Sequence, residues 1–501
     1  MICGLHAVRR RFLQLAPRFR ASVFFHVLLA SICLIVQPLP LWTVKNKMKK
    51  LITTTMALTL IALGVSSLHA NPTPQAQESA EIGRETRSVA AFTAIDVSGP
   101  YKVLINASGA TRGLELNGWR KDIAEVETFI EKDTLVVRPK SRNSFTFRFG
   151  KGHDPVTVSI TTSGLKSLSM SGSGDVELSR FEGTDLKLES SGPGDLLASG
   201  AARDLTVRAS GSGDMDLHRL KAASLNLTMS GPGDVHASGV SQDLNAVVSG
   251  SGDLEVDDLH AAKVNAMMRG PGSVSLSGSS REIRAEVAGS GDLEACSLSV
   301  ETVSAMLNGP GSACVNGAIK RFDAEVHGSG DLEARGLQAQ NARVIMSSAG
   351  NISLSGSSST LSADVSGSGD LDAKGLQVAR AITRSKGPGN IYLHKVSETL
   401  DAEVRGSGDV NAETECKDVK VTMTGPGGVH LKGKAASLNA QLSGSGSLDA
   451  RDMLTANADV QVRGPGNVVV NVKGKVDAQG HKIVTDKERV VWIDRRGTRE
   501  E

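Results

Sequence analysis

Aromatic residues make up only 3% of this 501-residue chain. Large domains normally pack around many such rings, so an ordinary globular core is disfavoured. Cysteine is scarce as well: Cys3 and Cys33 precede Ala70, and Cys296, Cys314 and Cys416 remain. Three cysteines at unrelated places make no disulfide framework, and they are expected as buried small residues. The sequence holds no His-Glu-x-x-His, Gly-x-Ser-x-Gly, Walker A or Cys-x-x-Cys. Their absence removes the commonest hydrolase, nucleotide-binding and redox mechanisms. Sugar clefts usually offer aromatic platforms, yet between positions 172 and 470 only Phe181, Phe322 and Tyr392 occur. No catalytic residue and no cofactor is assigned.

Acid is missing from the stretch between Met1 and Ala70, which carries nine Lys or Arg. Residues 71–501 then hold 47 basic against 54 acidic side chains, a net −7. A chain of that sign has no general attraction for nucleic acid or an anionic membrane. Met48-Lys49-Lys50, the apolar run Leu51 to Val65 and the small residues near Ala70 have the layout of a secretory signal peptide. Cleavage is expected after about Ala70, and the run is short for a retained membrane anchor. Upstream, Arg9 to Arg11 and Ser22 to Val36 resemble a second leader; residues 1–47 read best as a mis-called extension before a start at Met48, with an N-terminal membrane hairpin as the alternative. Residues 71–91, rich in Pro, Gln, Glu and Ser, read as a linker.

Glycine is what the chain has in excess, 54 residues of it. Much of it falls in one turn, Gly-Ser-Gly-Asp or Gly-Pro-Gly-Asp, whose first glycine stands at 172, 192, 211, 231, 250, 270, 289, 309, 328, 348 (here Ser), 367, 387, 406, 425, 444 and 464. Steps are 19 or 20 residues, and the middle residue alternates between Ser and Pro except at Ala349, so the sequence unit is a pair of about 39 residues. Before the turn, stretches such as Leu225-Asn-Leu227-Thr-Met229 alternate with period two, the mark of a strand. One face of such strands is apolar, and only stacking of units buries it. The predicted fold is therefore all-β, a parallel β-solenoid with a narrow interior lined by Ala246, Ala266, Ala285, Ala305, Ala324, Ala363, Ala402 and Ala440; a β-propeller would need larger, more aromatic blades.

Two further columns bear on coil length. Most Pro halves carry Gly eight residues after the first glycine (Gly200, Gly239, Gly278, Gly317, Gly356, Gly433), and most Ser halves carry a large apolar residue nine after it (Phe181, Leu220, Leu259, Leu298, Leu337, Leu376, Met453). Stacking Leu220 against Gly200 and Gly239 would leave gaps that close packing disfavours. The expectation is thus one 39-residue coil with two unlike corners, about 7.7 layers and roughly 37 Å at ~4.8 Å per layer, with 20-residue alternating layers as the competitor. Residues 92–170 read as a non-repeating N-terminal β cap in which Lys121 to Glu131 is a strand pair or short helix, 171–475 as the solenoid, and 476–501 as a charged tail.

The candidate site is the acid after each Ser-half turn: Asp175, Asp214, Asp253, Asp292, Asp331, Asp370 and Asp409. A carboxylate column repels itself unless cations or donors intervene. Calcium is one answer. The favoured one is an Asx turn in which each carboxylate accepts N–H groups at its own corner, since Asn and Ser replace Asp in the Pro halves. His218, His236, His260, His327 and His430 share no column and read as solvated surface.

"FTAIDVSGPYKVLI", then "DTLVVRPK", then the iterated "SGSGD" turn resemble the head GIN domain family of autotransporter adhesins over roughly residues 90–470. The Gly-Ile-Asn tripeptide of the family's name is absent, and the array is longer than one ordinary domain. The resemblance implies an exported bacterial protein with a β-helical body and an adhesive role. The resulting expectation is an exported, non-enzymatic module, periplasmic or at the cell surface, whose partner is a surface polymer or protein and whose mature chain does not span the membrane. The alternatives are a β-helical carbohydrate-active enzyme and a calcium-stabilised scaffold.

Overall fold

A computed structural model describes residues 82–500 apart from 109–110, 142–153 and 486. The expected leader at 1–70 and the linker up to position 81 lie outside the described residues. What is described is nearly all-β, a parallel solenoid of about 16 turns. Its one described helix is α1 (Arg120–Ala124), and no described helix is long and apolar enough to cross a membrane.

The N-terminal region is assembled out of chain order. Strands β1 (Ile82–Arg87), β2 (Ala94–Val97), β3 (Lys102–Asn106), β4 (Gly113–Trp119), β5 (Val126–Glu131), β6 (Thr134–Pro139), β7 (Thr157–Thr161), β8 (Ser167–Met170) and β9 (Val176–Ser190) surround the start of the rod. Parallel pairing places β2 between β6 and β8, and β3 between β7 and β9. The intervening turn Ser98 to Tyr101 is already a member of the glycine stack, since Gly174 N donates to Gly99 O at 3.2 Å. The region expected as a non-repeating cap therefore contributes solenoid layers of its own through β2, β3, β6, β7 and β8. Antiparallel pairings β5–β6 and β4–β7 then cover β6 and β7, ending the parallel stack whose open edge would recruit other chains. Two boundaries shift: Ile82–Arg87, expected within the linker, pairs with β4, and the 121–131 segment holds both the end of a helix and a strand.

At the other end the expected tail is a second cap. His481–Val484 and Arg489–Asp494 fold back antiparallel on Asn467–Ala478, and Gly497–Glu500 pairs with Arg489–Asp494. Parallel stacking stops there because the last layer's partners run the opposite way.

Each layer of the rod is one long bent strand, except that Gly239 divides its layer into Val235–Ser238 and Val240–Val248. In Leu254–Met268 and Val274–Val287 the inward positions recur every second residue except where the chain rounds its corners. The alanine column predicted from sequence lies inside, each member 2% exposed or less. The coil, however, is the shorter of the two considered: successive layers are offset by 19 or 20 in sequence, as in Asp292 with Ser273 and Ser312 with Asp292. Gly200 lies opposite Phe181 in one neighbouring layer and Leu220 in the other, with Leu196 opposite Val176 and Met215. Ser212 is consequently stacked between Pro193 and Pro232, as Gly213 N→Gly192 O and Gly233 N→Gly211 O require. The 39-residue period is that of a pair of layers, and sixteen turns at ~4.8 Å make a rod of roughly 75 Å.

The gap that argued for the longer coil is closed in two ways. Ser layers are usually one residue longer, and the extra residue appears as a register shift, as between Leu197 and Ser199, which turns Leu220 fully inward. A large side chain can also reach across the intervening glycine layer: Thr414 Oγ1 donates to Met453 Sδ at 3.3 Å, with Gly433 between their layers. Glycine is required there. At Gly278 (φ +120°) a Cβ would lie 2.3 Å from the Leu259 carbonyl oxygen, and the left-handed region is costly for other residues.

Layer pairing makes a prediction. Removing Gly328 to Ser366, one Ser and one Pro layer, preserves the alternation, and the variant is expected to melt within a few degrees of the parent. Removing only Gly328 to Ser347 sets the Gly317 and Gly356 layers against each other with the Leu337 site empty, a loss on the order of 2–5 kcal/mol. Thermal and urea unfolding of the two deletions measure the difference.

Candidate functional site on the face beside the glycine turn

The acids that follow the turns are collected into one column, but not with the neighbours expected. With a 20-residue coil, Asp175, Asp214, Asp253, Asp292, Asp331, Asp370 and Asp409 are interleaved with Asp195, Asp234, Ser273, Ser312, Asn351 and Asn390. Nor do the side chains cap their own corners. Each accepts the backbone N–H of its counterpart one layer on: Ser312 N donates to Asp292 Oδ1 at 2.7 Å, Asn351 N to Asp331 Oδ1 at 2.8 Å, and Asp370 N to Asn351 Oδ1 at 2.9 Å. Ser273 Oγ accepts from Asp292 N at a longer 3.4 Å. The column is a ladder of layer-to-layer hydrogen bonds in which carboxylate, amide and hydroxyl oxygen are interchangeable. Its first five members, Asp175 to Asp253, are all acidic; beyond them a neutral residue separates each pair of charges.

Beside this ladder, outward residues five and seven positions after the first glycine form a second pair of columns. Asp216 stands opposite His236, and Glu294 opposite Cys314. Diagonals across these columns bring together residues with different offsets in the repeat. His218 and His236 stack with centroids 5.6 Å apart and planes 12° from parallel. Lys374 Nζ sits 4.1 Å from the Tyr392 ring centroid, a cation–π contact. Cys296 and Cys314 are bonded as a disulfide with Cα atoms 5.2 Å apart, within the usual range. This overturns the reading of all three cysteines as unpaired, buried residues: the offsets are unrelated along the chain, yet the register makes them diagonal neighbours on an outward face. His218 and His236 remain partly exposed and share no column, as the sequence indicates, yet the diagonal register stacks their rings. The sequence did carry a signal, because His218 and Cys296 are both seven residues past their glycine and His236 and Cys314 both five past theirs.

Carboxylates flank these pairs. Glu333 lies one layer beyond Cys314, and the two sulfurs and a Glu333 oxygen fall within 4.8 Å of one another, the one such group of metal-ligand types among the described residues. Arg335 grips Glu333 at 2.7 Å, and the guanidinium holds the Glu333 carboxyl below the usual range. Arg343 does the same for Glu325, with His327 adding to the effect. A shallow groove of about 430 Å³ runs between the two columns here, lined by Asp292, Glu294, Ser312, Asp331, Glu333 and Asn351 among others. The remaining cysteine behaves as sequence suggested. Cys416 is buried, and burial together with Asp418 pushes its thiol up to about 11.

If hydrogen bonding alone holds the Asp ladder, a chelator is expected to leave the melting temperature unchanged. Asp292→Asn with Asp331→Asn should cost little, and Asp292→Ala about 0.5–1.5 kcal/mol. A melting temperature that climbs with calcium and loses that dependence in the double Asn variant supports the calcium scaffold instead. Thiol accessibility gives a second check: protein beginning at Asn71 should show no fast-reacting thiol at pH 8, two after reduction, and Cys416 only on unfolding.

Similarity to known proteins follows the repeats. No curated protein matches the chain. Solved structures match at low likeness. A "putative lipid binding protein" from Parabacteroides distasonis is 13% identical with a TM-score of 0.26, covering 71% of this chain and 98% of its own. A "putative adhesin" from the same organism is 17% identical with a TM-score of 0.29, covering 60% and 97%. One from Bacteroides fragilis is 16% identical with a TM-score of 0.22, covering 61% and 97%. The family described as "Putative auto-transporter adhesin, head GIN domain" matches residues 91–296, 240–336, 317–413 and 406–481, most of the chain. The chain belongs to the head GIN domain family.

Proposed function

We propose that this protein is an exported, non-enzymatic β-solenoid that serves as an adhesive or structural module at the cell surface or in the periplasm. The observation that carries the reading is the repetition of one polar face: the ladder column and the two columns beside it present hydrogen-bonding and charged side chains at each layer of the rod. A polymer lying along such a face makes many weak contacts at once, and their sum gives avidity that no single layer possesses. Family membership supports adhesion, and the basic leader-like segment before Ala70 supports export. The partner is a surface polymer or protein, engaged through polar groups in the near absence of aromatic platforms.

Two measurements test this. Fractionation of the native host with N-terminal sequencing is expected to find the protein in the envelope or medium, starting near Asn71; intact Met1 or Met48 in that fraction refutes the export reading. Beads coated with the mature chain are expected to bind isolated envelope polysaccharide or protein. Removal of successive 39-residue layer pairs should weaken that binding more than in proportion to length. Reproducible cleavage of a polysaccharide, abolished by one substitution, would replace this reading with the carbohydrate-active enzyme.

A further inference from the structure

We propose that His218 and His236, with Asp216 and Glu255 behind them, form a surface site for a borderline divalent transition ion of the Zn²⁺ or Cu²⁺ class. The two imidazoles stand on successive layers and face each other. Each is held from behind by a carboxylate: His218 Nδ1 lies 3.1 Å from Asp216 Oδ1, and His236 Nδ1 lies 2.9 Å from Glu255 Oε2. Asp216 is itself fixed, accepting the backbone N–H of His218 at 3.1 Å. A carboxylate on Nδ1 selects the tautomer that carries its proton there and leaves Nε2 with a lone pair. Metal-binding histidines are oriented by this same arrangement.

The stacked rings are not yet a chelate. Two Nε2 atoms at ~2.0–2.1 Å from one ion must come within about 4 Å of each other, so the rings have to tilt together. Both side chains are about two-fifths exposed, 43% and 38%, and turn on an open face. The same two places in the repeat bring side chains together four layers along. Cys296 occupies the place in the repeat that His218 does, and Cys314 the place of His236, and there the side-chain ends meet closely enough to be bonded. The third member corresponds as well, since Glu333 stands to Cys314 as Glu255 stands to His236. Sulfur at this place closes into a disulfide; imidazole cannot, and keeps its lone pairs for a ligand. Water completes the coordination sphere on the solvent side.

The test uses the mature chain prepared without a histidine tag, titrated with Cu²⁺ and with Zn²⁺ by calorimetry. One site per chain is expected, weakened at least tenfold by His218→Ala or His236→Ala and unaltered by His394→Ala or His430→Ala. The outer carboxylates are positioning residues, and Asp216→Asn with Glu255→Gln should weaken binding several-fold while both histidine ring resonances still shift on metal addition. Because all four side chains face solvent, each variant is expected to melt with the parent, so that lost binding reports the site and not the fold. Absence of binding, or binding that survives His218→Gln with His236→Gln, overturns the proposal.

Discussion

The structure depends on how closely the turn backbones of successive layers approach. The second glycine of each turn donates its N–H to the carbonyl of the residue at the first-glycine position one layer back, as Gly252 does to Gly231 at 3.2 Å. A Cβ on Gly192 or Gly194 would lie 2.1 or 2.2 Å from the carbonyl oxygen beneath it, far inside contact distance. Glycine is thereby favoured at both flanking positions, with Ser348 the exception at the first of them, while the middle residue points outward and is free to be Ser, Pro or Ala. With the turns locked one above another, the strands that leave them are locked in register. Their inward residues then form columns of fixed width, and a width set by alanine has little room for aromatic rings. The poverty in aromatics and the excess of glycine are two sides of one constraint.

How much of this is legible in the sequence depends on which period is read. The two-residue alternation of Leu225, Leu227 and Met229 marks strands directly, and the recurrent alanine predicts the interior column that is found. Coil length is not legible in the same way, because side-chain chemistry repeats with every second layer while the backbone repeats with each one. Treating Leu220 as filling only its own layer made the shorter coil look under-packed. Side chains are not so confined, and Met453 reaching Thr414 across the Gly433 layer shows why big and small can alternate without voids. The candidate site inherited the same ambiguity. Its aspartates were identifiable, but the direction of their hydrogen bonds was not, since Asp292 finds Ser312 only if the next layer begins half a sequence unit away. The disulfide was hidden for a related reason: offsets of seven and five are unrelated along a strand and adjacent across a diagonal.

Stability and recognition are divided between the two sides of each strand. Inside, burial of a continuous apolar column supplies the driving force, and each layer depends mainly on the layers above and below. Outside, the ladders add local order: Asn265 Nδ2 donates to Asn245 Oδ1, and Asn245 Nδ2 to Asn226 Oδ1. Interlayer ion pairs such as Arg208 with Glu189 and Lys320 with Glu301 are exposed and contribute little to stability. Outward residues can therefore change with small effect on the fold, which leaves them open to selection for binding.

That freedom gives meaning to the places where the outward face departs from Ser, Asp and Glu. The pairs His218 with His236, Cys296 with Cys314, Lys374 with Tyr392, and Arg451 with the cap residue Trp492 begin at residues 218, 296, 374 and 451, a spacing of 77 or 78. Four layers separate each from the next, roughly 19 Å at ~4.8 Å per layer, and the parallel register keeps them on the same face. Position in the solenoid supplies the encounter between two side chains, and residue identity alone decides whether it becomes an ion site, a covalent staple or a cation–π contact. A partner extended along the rod would meet these unlike contacts in a fixed order and at a fixed interval. On the adhesive reading proposed above, the ladder beside them would supply avidity, and the spaced pairs the features by which one polymer is told from another.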